Sequence, residues 1–126
     1  MTPFNDPSSS IAHPRPVGAF VEATNRRDLN GLVDAFADDA LVNDQLQDYW
    51  GRGEIEGWAA RDIIGDGLSM CVVHTRKHHG HLILTANVDG NFDKRGLPDP
   101  LVLTFYFSVA SDKIVQLIIL RNRSGT

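Results

Sequence analysis

Residues Asp28–Trp58 read DLNGLVDAFADDALVNDQLQDYWGRGEIEGW, and within them the pattern changes from helix to strand and back to helix. Asp28 is placed to cap a helix whose apolar residues Leu29, Leu32, Val33 and Phe36 recur at i, i+3, i+4 and i+7, the stripe of an amphipathic helix. After Ala37-Asp38-Asp39 the run Ala40-Leu41-Val42-Asn43-Asp44 reads as a short strand whose far end sets one carboxylate beside apolar neighbours. A further helix is expected from about Gly53 to Ile64, with Ile55, Trp58, Ala59 and Ile63 inward and Gly65 and Gly67 stopping it.

Working outward, residues 1–16 contain Pro3, Pro7, Pro14, Pro16 and a Ser8-Ser9-Ser10 triplet. That composition disfavours regular structure and predicts a flexible leader, leaving residues 17–126 as one domain. Pro16 suits the first turn of a helix in which Val17, Phe20, Val21 and Thr24 share a face. Beyond Gly67 the chain is rich in Val, Ile, Thr and Phe, and strands are expected over 69–79, 81–92, 101–110 and 113–122. The tight turn between the last two is Ser111-Asp112, and His78-His79-Gly80 reads as a polar turn. Helices followed by an antiparallel meander give an α+β class. Strict alternation in the final strand places Val115, Leu117 and Ile119 on one side and Ile114, Gln116, Ile118 and Leu120 on the other. Both sides are largely apolar, so one is expected to face the helices and the other a second subunit.

The 126 residues suit a single core, and a net charge of −4 without a basic run argues against a nucleic-acid partner. Cys71 is the one cysteine, which excludes an internal disulfide and CxxC chemistry and fits a reducing cytoplasm. Its alternation with apolar residues reads as a core thiol. No apolar run approaches the roughly 18 residues of a membrane helix.

The run FADDALVND, preceded by NRRDLNGLVDA and followed by GRGEIEGW, resembles the nuclear transport factor 2-like superfamily, which includes ketosteroid isomerases and SnoaL-like polyketide cyclases. The resemblance covers residues 17–121. It implies a strongly curved, mainly antiparallel sheet wrapped around three N-terminal helices into a cone, with an apolar small-molecule pocket between helices and sheet, and commonly a homodimer. It matches Asp44 to the aspartate that ketosteroid isomerases use as general base. The tyrosine and protonated aspartate that donate to the oxyanion in those enzymes correspond here to Phe20 and Leu103, neither of which can donate a hydrogen bond. Steroid isomerisation by that route is therefore not expected, since losing one donor alone costs about 10²- to 10³-fold in rate.

Around Asp44, Tyr49, Trp50 and Trp58 flank the Gly51-Arg52-Gly53 bend and are candidates for an aromatic clamp on a planar ligand. Core packing is the plainer reading for Trp58. Arg52 is a candidate for a ligand carboxylate or, more simply, for Glu56 at i+4. His74 and Leu117 are candidates for the pocket wall, and His74 for a proton shuttle with Asp44. His74, His78, His79 and His81 crowd one hairpin, but alternation turns them to different faces, so no metal site is called. No nucleotide motif or serine elbow stands out, and no cofactor is implied.

Overall fold

The computed structural model describes residues 14–121; the expected leader lies outside the described residues as far as residue 13. Helix α1 (Arg15–Arg26) carries Pro16 in its first turn and buries Pro16, Val17, Phe20, Ala23 and Thr24. It ends on Arg27 in the left-handed region, φ 58°. The Asn25 side chain then pins it to the sheet: its amide donates to the Met70 carbonyl at 3.0 Å and accepts from the Met70 N–H at 2.7 Å. Helix α2 (Leu29–Asp34) is capped by the Asp28 carboxylate, which accepts from the Gly31 N–H at 3.0 Å.

The helix stops earlier than its stripe suggests. Phe36 opens strand β1 (Phe36–Asp44) rather than closing α2, because an apolar residue at i+7 serves equally as the first inward position of a strand. Strand β2 (Gln47–Trp50), for which the sequence carries no strand pattern, then pairs antiparallel with β1. Helix α3 (Gly51–Trp58) follows, its first turn capped by the Glu54 carboxylate on the Trp50 N–H at 2.7 Å. It continues as a wider π-helical turn over Ala59–Ile64. Gly65 is needed there, since a Cβ would come within 2.7 Å of the Arg61 carbonyl oxygen.

Strands β3 (Ser69–His78), β4 (His81–Asp89), β5 (Leu101–Ala110) and β6 (Lys113–Arg121) form the meander, and the sheet order is β2-β1-β6-β5-β4-β3. The sheet is curved and not closed. All neighbours are antiparallel except β1 and β6, which run parallel. The turns Gln45-Leu46, His79-Gly80 and Ser111-Asp112 each hold two consecutive residues at positive φ, the backbone that matches the twist of a two-residue hairpin.

Two bulges alter the sheet faces read from alternation. Ser108 pairs with Gln116 but Val109 with Ile114, so Val115 is the extra residue. Ile114 therefore joins Leu117 and Ile119 in the core, all at most 2% exposed, instead of lying opposite them. In β3 the break falls at Val73, between Val72 and His74. Cys71 pairs with Asn87 and is exposed, not a core thiol.

The core between helices and sheet is closed by aromatic packing. Phe20 of α1 meets Phe36 edge-on at 6.0 Å and Phe107 at 5.5 Å, with Phe105 at 6.2 Å. No helix among the described residues is long and apolar enough to cross a membrane.

Candidate active-site cleft

Asp44 is the last residue of β1, opposite Ile119 of β6 and Gln47 of β2. The chain reverses there through Gln45 and Leu46. Leu46 takes φ 74°, and its N–H donates to the Asn43 side chain at 3.1 Å. Asn43 is held in turn by Asp48, whose carboxylate accepts from its amide at 2.6 Å. The hairpin and its register thus set the face of the sheet from which the Asp44 side chain projects.

Helix α3 supplies the second constraint. The indole Nε1–H of Trp58, a residue with no exposed surface, donates to Asp44 Oδ2 at 3.0 Å. Gln45 Nε2 approaches Oδ1 at 3.4 Å and the Ile119 carbonyl at 3.2 Å. Burial lifts the Asp44 pKa above its ordinary value; the Trp58 and Gln45 hydrogen bonds oppose that shift, and the nearby charge of Asp62 adds to it. Among the described residues whose carboxyl shifts are resolved, Asp44 is raised, whereas Asp89 and Asp93 are lowered by hydrogen bonds from Lys94 and Arg95.

A wide cleft of ≈ 1390 Å³ opens in front of Asp44. Its walls include Leu46, Leu68, Phe92, Leu97, Leu103 and Arg121. The loop between β4 and β5 divides it from a smaller depression of ≈ 490 Å³ that holds Cys71 and the Asp89–Lys94 ion pair. Phe92, Leu97 and Pro98 face both. The larger cleft has the makings of a proton-transfer site: one half-buried carboxyl with a raised pKa, held by two donors, at the edge of apolar walls.

Of the residues singled out from sequence, Asp44 and Leu103 line this cleft. Trp58 and Tyr49 stand behind Asp44, their rings 6.1 Å apart, with Arg61 5.8 Å over the Tyr49 ring and donating to its hydroxyl at 3.3 Å. Phe20 and Leu117 have no exposed surface and belong to the core. Trp50 is turned outward and 60% exposed. His74 is exposed on β3, with β4, β5 and β6 between it and β1, so it does not meet Asp44. Arg52 pairs with Asp34 at 2.8 Å and Asp38 at 3.3 Å rather than with Glu56. His81 Nδ1 instead lies 2.9 Å from Ser108 Oγ.

Sequence reasoning did not find Leu46, Phe92, Leu97 or Arg121. A non-glycine pair in a two-residue turn, Gln45-Leu46, and apolar residues inside an otherwise polar loop were the available signals.

No protein-family model matches the chain, and no curated protein matches it. Solved structures do. A proposed polyketide cyclase from Sinorhizobium meliloti is 24% identical, with a TM-score of 0.76, covering 86% of this chain and 95% of that one. A Catenulispora acidiphila protein with a ketosteroid isomerase-like fold, in complex with trimethylamine, is 21% identical over 85% of each chain, TM-score 0.70. TerC co-crystallized with polyporic acid is 11% identical, covers 85% of this chain and 88% of that one, and has a TM-score of 0.70. These likenesses show the fold: the chain has the curved α+β architecture of nuclear transport factor 2-like proteins, the fold also of the polyketide cyclase and ketosteroid isomerase-like structures it resembles.

Proposed function

We propose that this chain is a small enzyme that moves a proton on an apolar carbonyl compound, with Asp44 as general base. The observation that carries the reading is the Asp44 carboxyl itself: buried enough to raise its pKa, oriented by Trp58, and facing a cleft large enough for a small molecule. Asp44 would take the proton α to a carbonyl; the C–H electron pair becomes the enolate double bond and the charge moves to the carbonyl oxygen. Return of the proton to another carbon gives isomerisation, and attack by the enolate carbon on a second carbonyl gives cyclisation. Neighbours of this fold solved in complex with trimethylamine and co-crystallized with polyporic acid support small-molecule binding as a use of the fold.

The test is catalysed α-deuterium exchange into enolisable ketones, followed by NMR, in wild type and Asp44→Asn. Wild-type exchange above background that is lost in the variant supports the reading. Ligand binding by both proteins with exchange by neither would make the chain a non-catalytic binding module, the function favoured by the absence of donors at Phe20 and Leu103. We also place the protein in the cytoplasm, on its lone cysteine, and as a homodimer through the outer sheet face. Trp50 (60% exposed) and Tyr106 (37% exposed) stand there beside half-buried Leu41 and Ile118. A monomeric mass by light scattering at micromolar concentration would overturn the dimer.

A further inference from the structure

Arg27, Arg76 and Arg121 are the described arginines without an ion pair to a described residue, and of these Arg121 is the one that lines the cleft. Arg15, Arg26, Arg52, Arg61 and Arg95 each lie against a carboxylate. Arg121 has no ion pair among the described residues although it shares the cleft with Asp44, whose two carboxylate oxygens are taken by Trp58 and Gln45. Among the described residues it is the one cationic side chain in the cleft wall, as Asp44 is the one anionic.

Strand register explains how the two come to share the space. Asp44 pairs with Ile119, and Arg121, two residues further along β6, pairs with Leu103. Residues i and i+2 of a strand point to the same face about 7 Å apart. The guanidinium therefore emerges on the Asp44 side, beside Leu103 and within reach of the rim. A carboxylate seated there would be held by a planar fork of donors, while Leu46, Phe92, Leu97 and Leu103 cover the rest of the molecule.

We propose that Arg121 makes the cleft selective for anionic amphiphiles, namely apolar carbonyl compounds that carry a carboxylate. This rests on the Asp44 reading only for turnover; the selectivity is a binding property of Arg121. An anion next to the Asp44 carboxylate would be repelled, and the positive charge of Arg121 in the same cleft offsets that repulsion.

The probes are 2-tetralone-6-carboxylate and its methyl ester, alike in ring and enolisable ketone and different in charge. Titration calorimetry gives their affinities for wild type, Arg121→Gln, Arg121→Lys and Asp44→Asn, and NMR gives α-deuterium exchange. Wild type should bind the acid about tenfold more tightly than the ester, the scale of a charge-assisted hydrogen-bonded pair. Arg121→Gln should bring the two together, Arg121→Lys should keep part of the gap, and Asp44→Asn should not reduce it. Arg121 is exposed, so the variants should melt as wild type does. Equal affinities in wild type, no binding of either probe at millimolar concentration, or a gap that survives Arg121→Gln would each overturn the proposal. A gap that depends on Arg121, without exchange that depends on Asp44, would uphold it while removing the general-base reading.

Discussion

At the Phe36 end of β1, Phe20, Phe36, Phe105 and Phe107 close the space between helix and sheet, none more than 1% exposed. At the Asp44 end the same strand opens onto a cleft of ≈ 1390 Å³. A nine-residue strand thus joins a region that is all packing to one that is left open. Apolar burial of the first kind stabilises at roughly 25 cal/mol per Å². The second kind forgoes that gain and leaves apolar walls for something else to cover. Stability and function are therefore expected to separate along the length of β1.

The largest effect belongs to the packed end. Phe105→Ala should destabilise by about 3–5 kcal/mol, because its ring touches both Phe20 and Phe107 and the hole cannot collapse. Leu103→Ala, two residues away on the same strand but facing the cleft, should lose at most about half as much. Equal losses in urea titrations of the two variants would erase the distinction between the ends.

Asp44→Asn is the complementary change at the open end, expected to lower the proton-transfer rate about 10²- to 10⁴-fold without unfolding the chain. Its pH dependence has a definite sign. Folding raises the Asp44 pKa, so the folded state holds this proton more tightly than the unfolded state does. The contribution is favourable at low pH relative to neutral, and stability is lost as pH rises through the raised pKa. The variant removes that loss. Its stability relative to wild type should improve from pH 3 to pH 7, and a relative decline over that range in thermal melts would show that Asp44 is a stabilising carboxylate.

How much of this was legible in the sequence follows from how local each signal is. The order of helices and strands was, because periods of 3.6 and 2 are written into consecutive residues; β5 matches its expected span residue for residue. Asp44 at a strand end was legible for the same reason. Phe36 was not, since one apolar residue satisfies both periods. Strand β2 was not, because QDYW becomes a strand only by pairing with β1. The Val115 bulge reverses the phase of β6 with no glycine or proline to announce it. The contact between Trp58 and Asp44 depends on α3 crossing back over β1, and the place of Arg121 depends on the register of three strands.

Trp58 links the two ends, since it is fully buried yet donates to the cleft carboxyl. Trp58→Phe keeps most of the packing and removes the N–H. The hydrogen bond from Trp58 lowers the Asp44 pKa, so its loss should raise that pKa further. A base must be ionised to act, and the rising limb of the kcat/KM profile should move to higher pH. A rate that falls with an unmoved limb would give Trp58 a packing role only.

The smallest expected effect runs in the opposite direction. Leu46 is 83% exposed and holds φ 74° at the lip of the cleft, a conformation that costs a side chain with a Cβ about 1–2 kcal/mol. It buries almost nothing in exchange, so the fold alone gives no reason for leucine there. Leu46→Gly relieves the strain and, after the extra freedom glycine gains in the unfolded chain, should stabilise by up to about 1 kcal/mol while weakening ligand affinity. A strained residue retained where glycine would be more stable is what a site selected for binding produces. If Leu46→Gly instead destabilised the chain with affinity unchanged, the lip of the cleft would belong to the packed end after all, and the strain at Leu46 would have a structural cause.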